Sequence, residues 1–224
     1  MVRRAVSEAL GTAFLLMAVV GSGIMAERLA AGNIALALLA NTIATGAALA
    51  TFILVFGSVS GAHFNPAVTL AQAAQGRISW PDAGVYVCAQ IVGALAGVAA
   101  AHAMFELPPF FVSVHARSGP AQWLSEFIAT FGLLLVIEGC SRARPAAIPY
   151  AVGTYITSAY WFTASTSFAN PAVTLARSAS NTFAGIRPAD VPAFIAAELA
   201  GALFAVVFFR WLSPAPDQRQ GRPA

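Results

Sequence analysis

The side chains with the clearest chemical capacity are Asn65 and Asn170, because each opens the same seven-residue string. The two copies are Asn65-Pro66-Ala67-Val68-Thr69-Leu70-Ala71 and Asn170-Pro171-Ala172-Val173-Thr174-Leu175-Ala176. Asparagine is a favoured helix N-cap, since its side-chain oxygen takes a free backbone N–H while its amide nitrogen stays available as a donor. Proline suits the next position, where no N–H is needed and φ is already helical. Each string therefore predicts a short helix with donors gathered at its start. Such groups bind and orient polar molecules; they do not make or break bonds. The one pairing with a catalytic look, Ser60 with His63, sits on a single short loop with no acid to orient it. No glycine-rich phosphate loop and no zinc spacing occurs, so neither an enzyme nor a cofactor is expected.

What surrounds the strings decides their meaning. The chain of 224 residues is 58% hydrophobic and only 9% charged, with a mean hydropathy of +0.74. Soluble domains carry about 25% charged residues, so the composition is that of a membrane protein with the bilayer as its partner. Apolar runs predict six spans, at about 5 to 25, 34 to 59, 83 to 104, 121 to 140, 148 to 162 and 188 to 211, allowing a few residues of boundary error. Met1-Val2-Arg3-Arg4 and the run behind it resemble a secretory signal, but the length of the run favours a retained helix. The two strings fall between spans, after 60–64 and 163–169. Non-helical backbone at membrane depth is tolerated only where it is buried in protein or lines a polar cavity. The fold class expected is therefore an all-α membrane bundle of six spans and two re-entrant half-helices around a central site.

The spans repeat. Ser7-Glu8-x-x-x-Thr12 returns as Ser125-Glu126-x-x-x-Thr130, and Ala89-Gln90-Ile91-Val92-Gly93-Ala94-Leu95 returns as Ala197-Glu198-Leu199-Ala200-Gly201-Ala202-Leu203. Together with the asparagine strings they mark an internal duplication, about 5–104 and 121–212, within one channel domain, 1–224. Three spans per repeat invert the second copy relative to the first. The first half-helix is expected to end near Gln75-Gly76 and the second around Ser180. Gly93 and Gly97 form a small-xxx-small pair that lets a neighbouring backbone come close. Residues 106–120 form a polar, proline-bearing connection placed to fold over one mouth, and 213–224 read as a disordered cytoplasmic tail.

The net charge of +3 comes from arginine alone. The arginines are scattered, so no basic face for nucleic acid is expected. Arg3, Arg4, Arg77, Arg142, Arg144, Arg210, Arg219 and Arg222 share the side of the termini. Arg28, Arg117, Arg177 and Arg187 take the other. The excess of arginine marks the cytoplasmic face, which predicts a multi-pass inner (plasma) membrane protein with both termini cytoplasmic. Cys88 and Cys140 read as buried small hydrophobes, and Glu138 with Arg142 as a helix-end pair.

The string Ser60-Gly61-Ala62-His63-Phe64-Asn65-Pro66-Ala67-Val68-Thr69 resembles the cytoplasmic re-entrant loop of the aquaporin (major intrinsic protein) family. The second Asn-Pro-Ala and the repeated Glu-x-x-x-Thr openings extend the likeness over essentially the whole chain. The resemblance implies an aquaporin-like right-handed bundle with an inverted repeat, assembled as a homotetramer with one pore per subunit. It implies a passive channel for small neutral solutes, with Asn65, Pro66, Ala67, Asn170, Pro171 and Ala172 at the pore centre. By itself the physics points the same way. Two half-helix N-termini meeting at mid-membrane oppose cations, the two asparagine amides offer donors, and loop carbonyls offer acceptors.

The chain also departs from the family pattern. Water-selective members, and most glycerol facilitators, have arginine three positions after the second asparagine; here that residue is Val173. Carried over by offset, the other constriction positions are Thr45, Ser158 and Ser167, the assignment of Ser158 assuming an ungapped loop. A ring of Thr45, Ser158, Ser167 and Val173 lacks both an aromatic ring and a guanidinium, and implies a wider pore than a water filter. The stretch 164–186 resembles the bacterial members associated with arsenic-resistance operons. That likeness implies arsenite, an uncharged trihydroxide, or methylated arsenicals as solutes beside water and glycerol-like polyols.

Arg177 lies one helical turn past Val173. Two readings stand for it: a positive charge in the outer vestibule, or an arginine that snorkels or bonds carbonyls. Glu8, Glu126 and Glu198 are costly in spans; the resemblance implies that they hold the re-entrant loops, with Gln90 the neutral counterpart of Glu198. His63 reads either as an orderer of its own loop or as a pH sensor at the pore mouth. A water-selective channel is the alternative function. A secondary transporter is less favoured, because no span carries a cluster of ionisable groups suited to ion coupling.

Overall fold

The computed structural model describes residues 1–212, so the expected tail, 213–224, lies outside the described residues. Eight helices follow in order: α1 (Val2–Leu29), α2 (Ile34–Ser60), α3 (Pro66–Ala74), α4 (Trp80–Met104), α5 (Pro120–Ala143), α6 (Ile148–Phe162), α7 (Pro171–Arg177) and α8 (Val191–Leu212). Short 3-10 turns, Pro145–Ala147 and Pro188–Asp190, lead into α6 and α8. Among the described residues, five helices are long and apolar enough to cross a bilayer. The sixth crossing, α6, has 15 residues and is lengthened at its start by the 3-10 turn. The short helices α3 and α7 fill equivalent places in the two halves.

Local chemistry sets the boundaries. Asn33 caps α2 by accepting from Leu36 N at 3.1 Å, and Ser79 caps α4 by accepting from Asp82 N at 3.2 Å. At the end of α3, Gly76 takes φ +72°, which lets Arg77 N return to the carbonyl of Gln72 at 3.0 Å. The half-helix α7 stops at Arg177, three residues before the expected end at Ser180. The reason lies in the connection before α5. Ser113 N and Phe111 N donate to the carbonyls of Ser178 and Ala179 at 2.9 and 3.0 Å. Those bonds draw 178–180 out of the helix and lay the connection across this end of the bundle.

In lipid, helices gain little from hiding apolar surface from one another, so close packing and small residues decide which pairs meet. A Cβ on Gly93 or Gly97 of α4 would collide with the backbone carbonyl of Ala9 or Ala13 on α1. The repeat partner, Gly201 of α8, meets the carbonyl of Phe127 on α5 in the same way. The two halves join where Gly153 of α6 faces the carbonyl of Gly46 on α2. Beside it, Thr42 Oγ1 donates to Thr157 O at 2.9 Å. Residues of α1, α2, α5 and α6 border a shared cavity.

Two expectations fail here. Cys88 is exposed on the outer face of the bundle and Cys140 is half-buried, both as free thiols. Glu138 reaches Arg77 rather than Arg142. Arg77 Nη1 and Nη2 donate to its two carboxylate oxygens at 2.8 and 2.7 Å, and Gln75 Nε2 adds a bond at 3.0 Å. The bidentate pair ties the end of α3 to α5, while Arg142 stacks over Phe209.

Candidate pore and its constriction

The half-helices α3 and α7 meet start to start. Asn65 Oδ1 caps α3 through Ala67 N at 2.8 Å, and Asn170 Oδ1 caps α7 through Ala172 N at 3.0 Å. Each amide nitrogen then crosses to the other half: Asn65 Nδ2 donates to Ala169 O at 2.7 Å and Asn170 Nδ2 to Phe64 O at 2.8 Å. An amide nitrogen has two hydrogens, so each keeps one for the cavity that both asparagines line.

The loops before the asparagines share an unusual backbone. In the first, Gly61, Ala62 and Phe64 have positive φ; in the second, Thr166, Ser167 and Ala169 do. Counted from the asparagines these are the same three positions. Left-handed backbone is unfavourable for residues with a Cβ, by about 1–2 kcal/mol each, so each loop needs an external anchor. Glu8 supplies the first. Its Oε1 accepts from Ser60 Oγ at 2.6 Å and His63 N at 3.0 Å, and its Oε2 from Phe64 N at 2.7 Å. Glu126 supplies the second, accepting from Phe168 N at 2.9 Å and Ala169 N at 2.7 Å. With their N–H groups drawn outward to carboxylates, the loops border the cavity with their acceptors.

Gln90 and Glu198 occupy matching places behind the loops. Gln90 Nε2 donates to Glu8 Oε2 at 2.8 Å and contacts Thr69 Oγ1 at 2.9 Å. Glu198 Oε1 accepts from Thr174 Oγ1 at 2.6 Å and Asn170 N at 3.2 Å, and its Oε2 has no partner. The His63 ring bonds Thr69 Oγ1 through Nδ1 at 3.1 Å while also bordering the cavity.

The cavity has a volume of about 540 Å³ and extends from Arg77 and Arg142 at one end to Arg177 at the other. Its wall is apolar on the side of the long helices. Leu49 and Ile53 of α2, Leu133 and Ile137 of α5, and Val152 and Ile156 of α6 each form a stripe at a spacing of four. The loops form the polar side. At the Arg177 end the lining includes Thr45, Tyr160, Ser167 and Val173, all buried. The Tyr160 hydroxyl stands 3.5 Å from Thr45 Oγ1, and Ser167 Oγ has no protein partner.

Ser158 is not part of this group. It is exposed on the outer face of α6 and turns its hydroxyl back to Tyr155 O at 2.7 Å. The helical period explains the error. Ile148, Val152, Ile156 and Tyr160 share the cavity face, and position 158 lies about 200° away from 156 at about 100° per residue. Phasing α6 on its bulky apolar residues identifies Tyr160; counting back from Asn170 does not.

Arg177 is buried to 2% exposure, in the cavity wall rather than in an open vestibule. Its guanidinium stacks on the Phe168 ring, 3.4 Å from the centroid, and its Nε donates to Ala184 O. The Phe168 ring is also met by Arg117, 5.0 Å from its centroid. Arg117 Nε donates to Gly185 O at 2.8 Å and Nη1 to Ser165 O at 3.1 Å. Burial lowers its guanidinium from the usual arginine range, against the opposing pull of Glu126 and Tyr160. Its binding role was not visible in sequence, where it was one arginine of a polar connection.

A duplicated bundle of six spans, with two capped half-helices meeting over a lined passage, is a membrane channel. The chain belongs to the major intrinsic protein family, whose model matches residues 1–147. It is 59% identical over 223 residues to aquaglyceroporin AqpS of Rhizobium meliloti, covering 99% of this chain and 95% of that protein. It is 30% identical over 227 aligned positions to aquaporin Z of Rhodopseudomonas palustris, covering 94% of this chain and 93% of that one. The fold is that of the aquaglyceroporin from Plasmodium falciparum, with a TM-score of 0.72 at 20% identity over 95% of this chain and 97% of the other. The protein is thus a multi-pass membrane channel for small uncharged solutes, and the family is one of channels rather than enzymes.

Proposed function

We propose that this channel conducts water and small polyhydroxy solutes of glycerol size, with arsenite among them and methylated arsenicals as a further class. The observation that carries the reading is Val173. A short apolar side chain lines the cavity where a long cationic one would narrow it. The revised ring of Thr45, Tyr160, Ser167 and Val173 gains an aromatic residue, against the expectation from sequence, but keeps no guanidinium of its own, and combines three hydroxyls with one apolar side chain. That pattern suits a solute with hydroxyls on one face and C–H groups, or a bare arsenic, on the other. The name of the 59% identical aquaglyceroporin supports the polyol part of this reading.

Flux is passive. Among the described residues no carboxylate lines the cavity, and Glu8 and Glu126 are engaged with the loops. The arginine distribution supports cytoplasmic termini in the inner membrane. On that orientation Arg77 and Arg142 stand at the cytoplasmic mouth and Arg177 at the outer one. A homotetramer is the expected assembly.

Proteoliposomes test the reading. Water, glycerol and arsenite entry, measured side by side, should each exceed the protein-free rate. Passage of water alone would mean a water-selective channel. Uphill accumulation abolished by an uncoupler would mean a secondary transporter.

A further inference from the structure

We propose that Arg177, seated on Phe168 in the wall of the outer constriction, adds a second barrier to cations at this end of the pore, beside the one at its centre. The inference rests on the reading of Thr45, Tyr160, Ser167 and Val173 as that constriction. It assigns charge selection to a position one turn beyond the ring itself.

The contrast between two neighbouring arginines carries the argument. Arg117 spends its donors on the loops: Gly185 O, Ser165 O and, through its backbone N–H, Asp190 Oδ2 at 2.8 Å. It is a tie. Arg177 is more deeply buried and spends less. Its Nε serves Ala184 O, while its Nη1 is buried with no partner. A guanidinium carries five N–H donors in a rigid fork, and an arginine kept only to brace a loop would be expected to use them. Stacking on Phe168 fixes the plane of the fork without consuming a single donor.

Charge compensation points the same way. Arg77, at the far end of the cavity, is neutralised by Glu138 at 2.7 Å. Neither Arg177 nor Arg117 forms an ion pair among the described residues. A desolvated guanidinium that borders the cavity without an ion pair acts strongly on whatever passes, because little water is present to screen it. A neutral solute passing the guanidinium carries no net charge for it to repel. A sodium or hydronium ion is repelled by it. Val173 has neither charge nor donor to contribute, so selection by charge at this end falls to the residue one turn further out.

The test uses the full chain in proteoliposomes. Osmotic water flux counts working channels, glycerol flux reports the pore, and a pH-sensitive dye with an imposed potential reports cation leak. Arg177→Gln should keep glycerol flux per channel within about twofold and raise the leak at least about tenfold, since a unit charge beside the path is removed. Arg177→Lys should stay tight. The double variant Val173→Arg/Arg177→Val, which moves the charge one turn inward, should also stay tight.

An unchanged leak in Arg177→Gln would overturn the proposal. So would a double variant as leaky as Arg177→Gln, because Arg177 would then act only as a brace for the loop at Ala184. Failure of all three variants to fold would likewise make it a scaffold residue. If the native protein passes water but not glycerol, the polyol reading fails. The leak comparison, scaled to water flux, still decides the role of Arg177.

Discussion

The amide of Asn65 donates to the carbonyl of Ala169, 2.7 Å away in the other half of the chain, and Asn170 returns the bond to Phe64 at 2.8 Å. The two asparagines that line the cavity therefore also join the two repeats. Each side chain makes two bonds and keeps a third group unspent: its oxygen caps its own half-helix, one amide hydrogen crosses to the other loop, and the other is left on the side of the cavity.

Replacing either asparagine by aspartate separates these roles. The carboxylate can still cap, but it sets an oxygen against a carbonyl at hydrogen-bond distance and has no donor to give. Asn65→Asp should therefore lower stability by ~1–3 kcal/mol or more, the cost of an unsatisfied buried polar contact. Thermal unfolding in detergent would measure it. Cation leak should rise in parallel, since a negative charge at the centre offsets the barrier there. A variant as stable and as tight as the native channel would show that the cross-bond holds nothing.

The loop anchors make a second prediction, from a difference between the halves. Glu8→Ala strips the acceptor from the buried N–H of Phe64 and from the half-buried N–H of His63, and should cost at least ~1–3 kcal/mol, the cost of one orphaned buried donor. Glu198 is the opposite case. Its Oε2 lacks a partner, whereas Gln90, in the matching place, donates to the loop anchor Glu8. Glu198→Gln should therefore be neutral or stabilising, by up to ~1–3 kcal/mol. A clear fall in the unfolding midpoint would show that Glu198 is needed in its acidic form.

Much of this arrangement was legible in the sequence because duplication made it redundant. The asparagine strings and the Glu-x-x-x-Thr openings appear twice, and Gly93 returns as Gly201, so each copy predicts the place of the other. The unread parts come from what a repeat does not encode. Ser158 was placed by counting along a loop, while side-chain direction depends on helix phase, which Ile156 and Tyr160 define. The early end of α7 depends on Phe111 and Ser113, more than 60 residues before Ser178 in the chain. The partner of Glu138 was sought one turn away and found on another helix. Long-range pairing of this kind leaves no local signature.

Glycine contacts give a third prediction. A Cβ on Gly201 would strike the backbone carbonyl of Phe127, which cannot move aside as a flexible side chain can. Gly201→Leu should separate α8 from α5 and destabilise the bundle by more than the ~1–3 kcal/mol of ordinary overpacking. Gly57 of α2 has open space around its Cβ position and serves as the control. Gly57→Leu should fold and conduct normally. Equal behaviour of the two variants would mean that the α5–α8 contact is not set by close backbone approach.

The last prediction concerns the solute. Val173 borders the cavity near Thr45, Tyr160 and Ser167 and is 4% exposed. Val173→Arg would bring a long side chain with several donors into that space, one turn from the buried guanidinium of Arg177. Water can satisfy those donors from almost any direction and still pass. Glycerol and arsenite need width, and their hydroxyls must be presented in a fixed arrangement. Their flux should fall at least about tenfold relative to water, a barrier difference of ~1.4 kcal/mol. The ratio cancels differences in protein insertion between preparations. Val173→Ala, which adds space without charge, should leave the ratio at or above its native value. Equal loss of all three solutes in Val173→Arg would signal disturbed packing of α7 rather than altered selection. An unchanged ratio, with all fluxes intact, would place the narrowest point of the pore away from Val173 and overturn the constriction drawn around it.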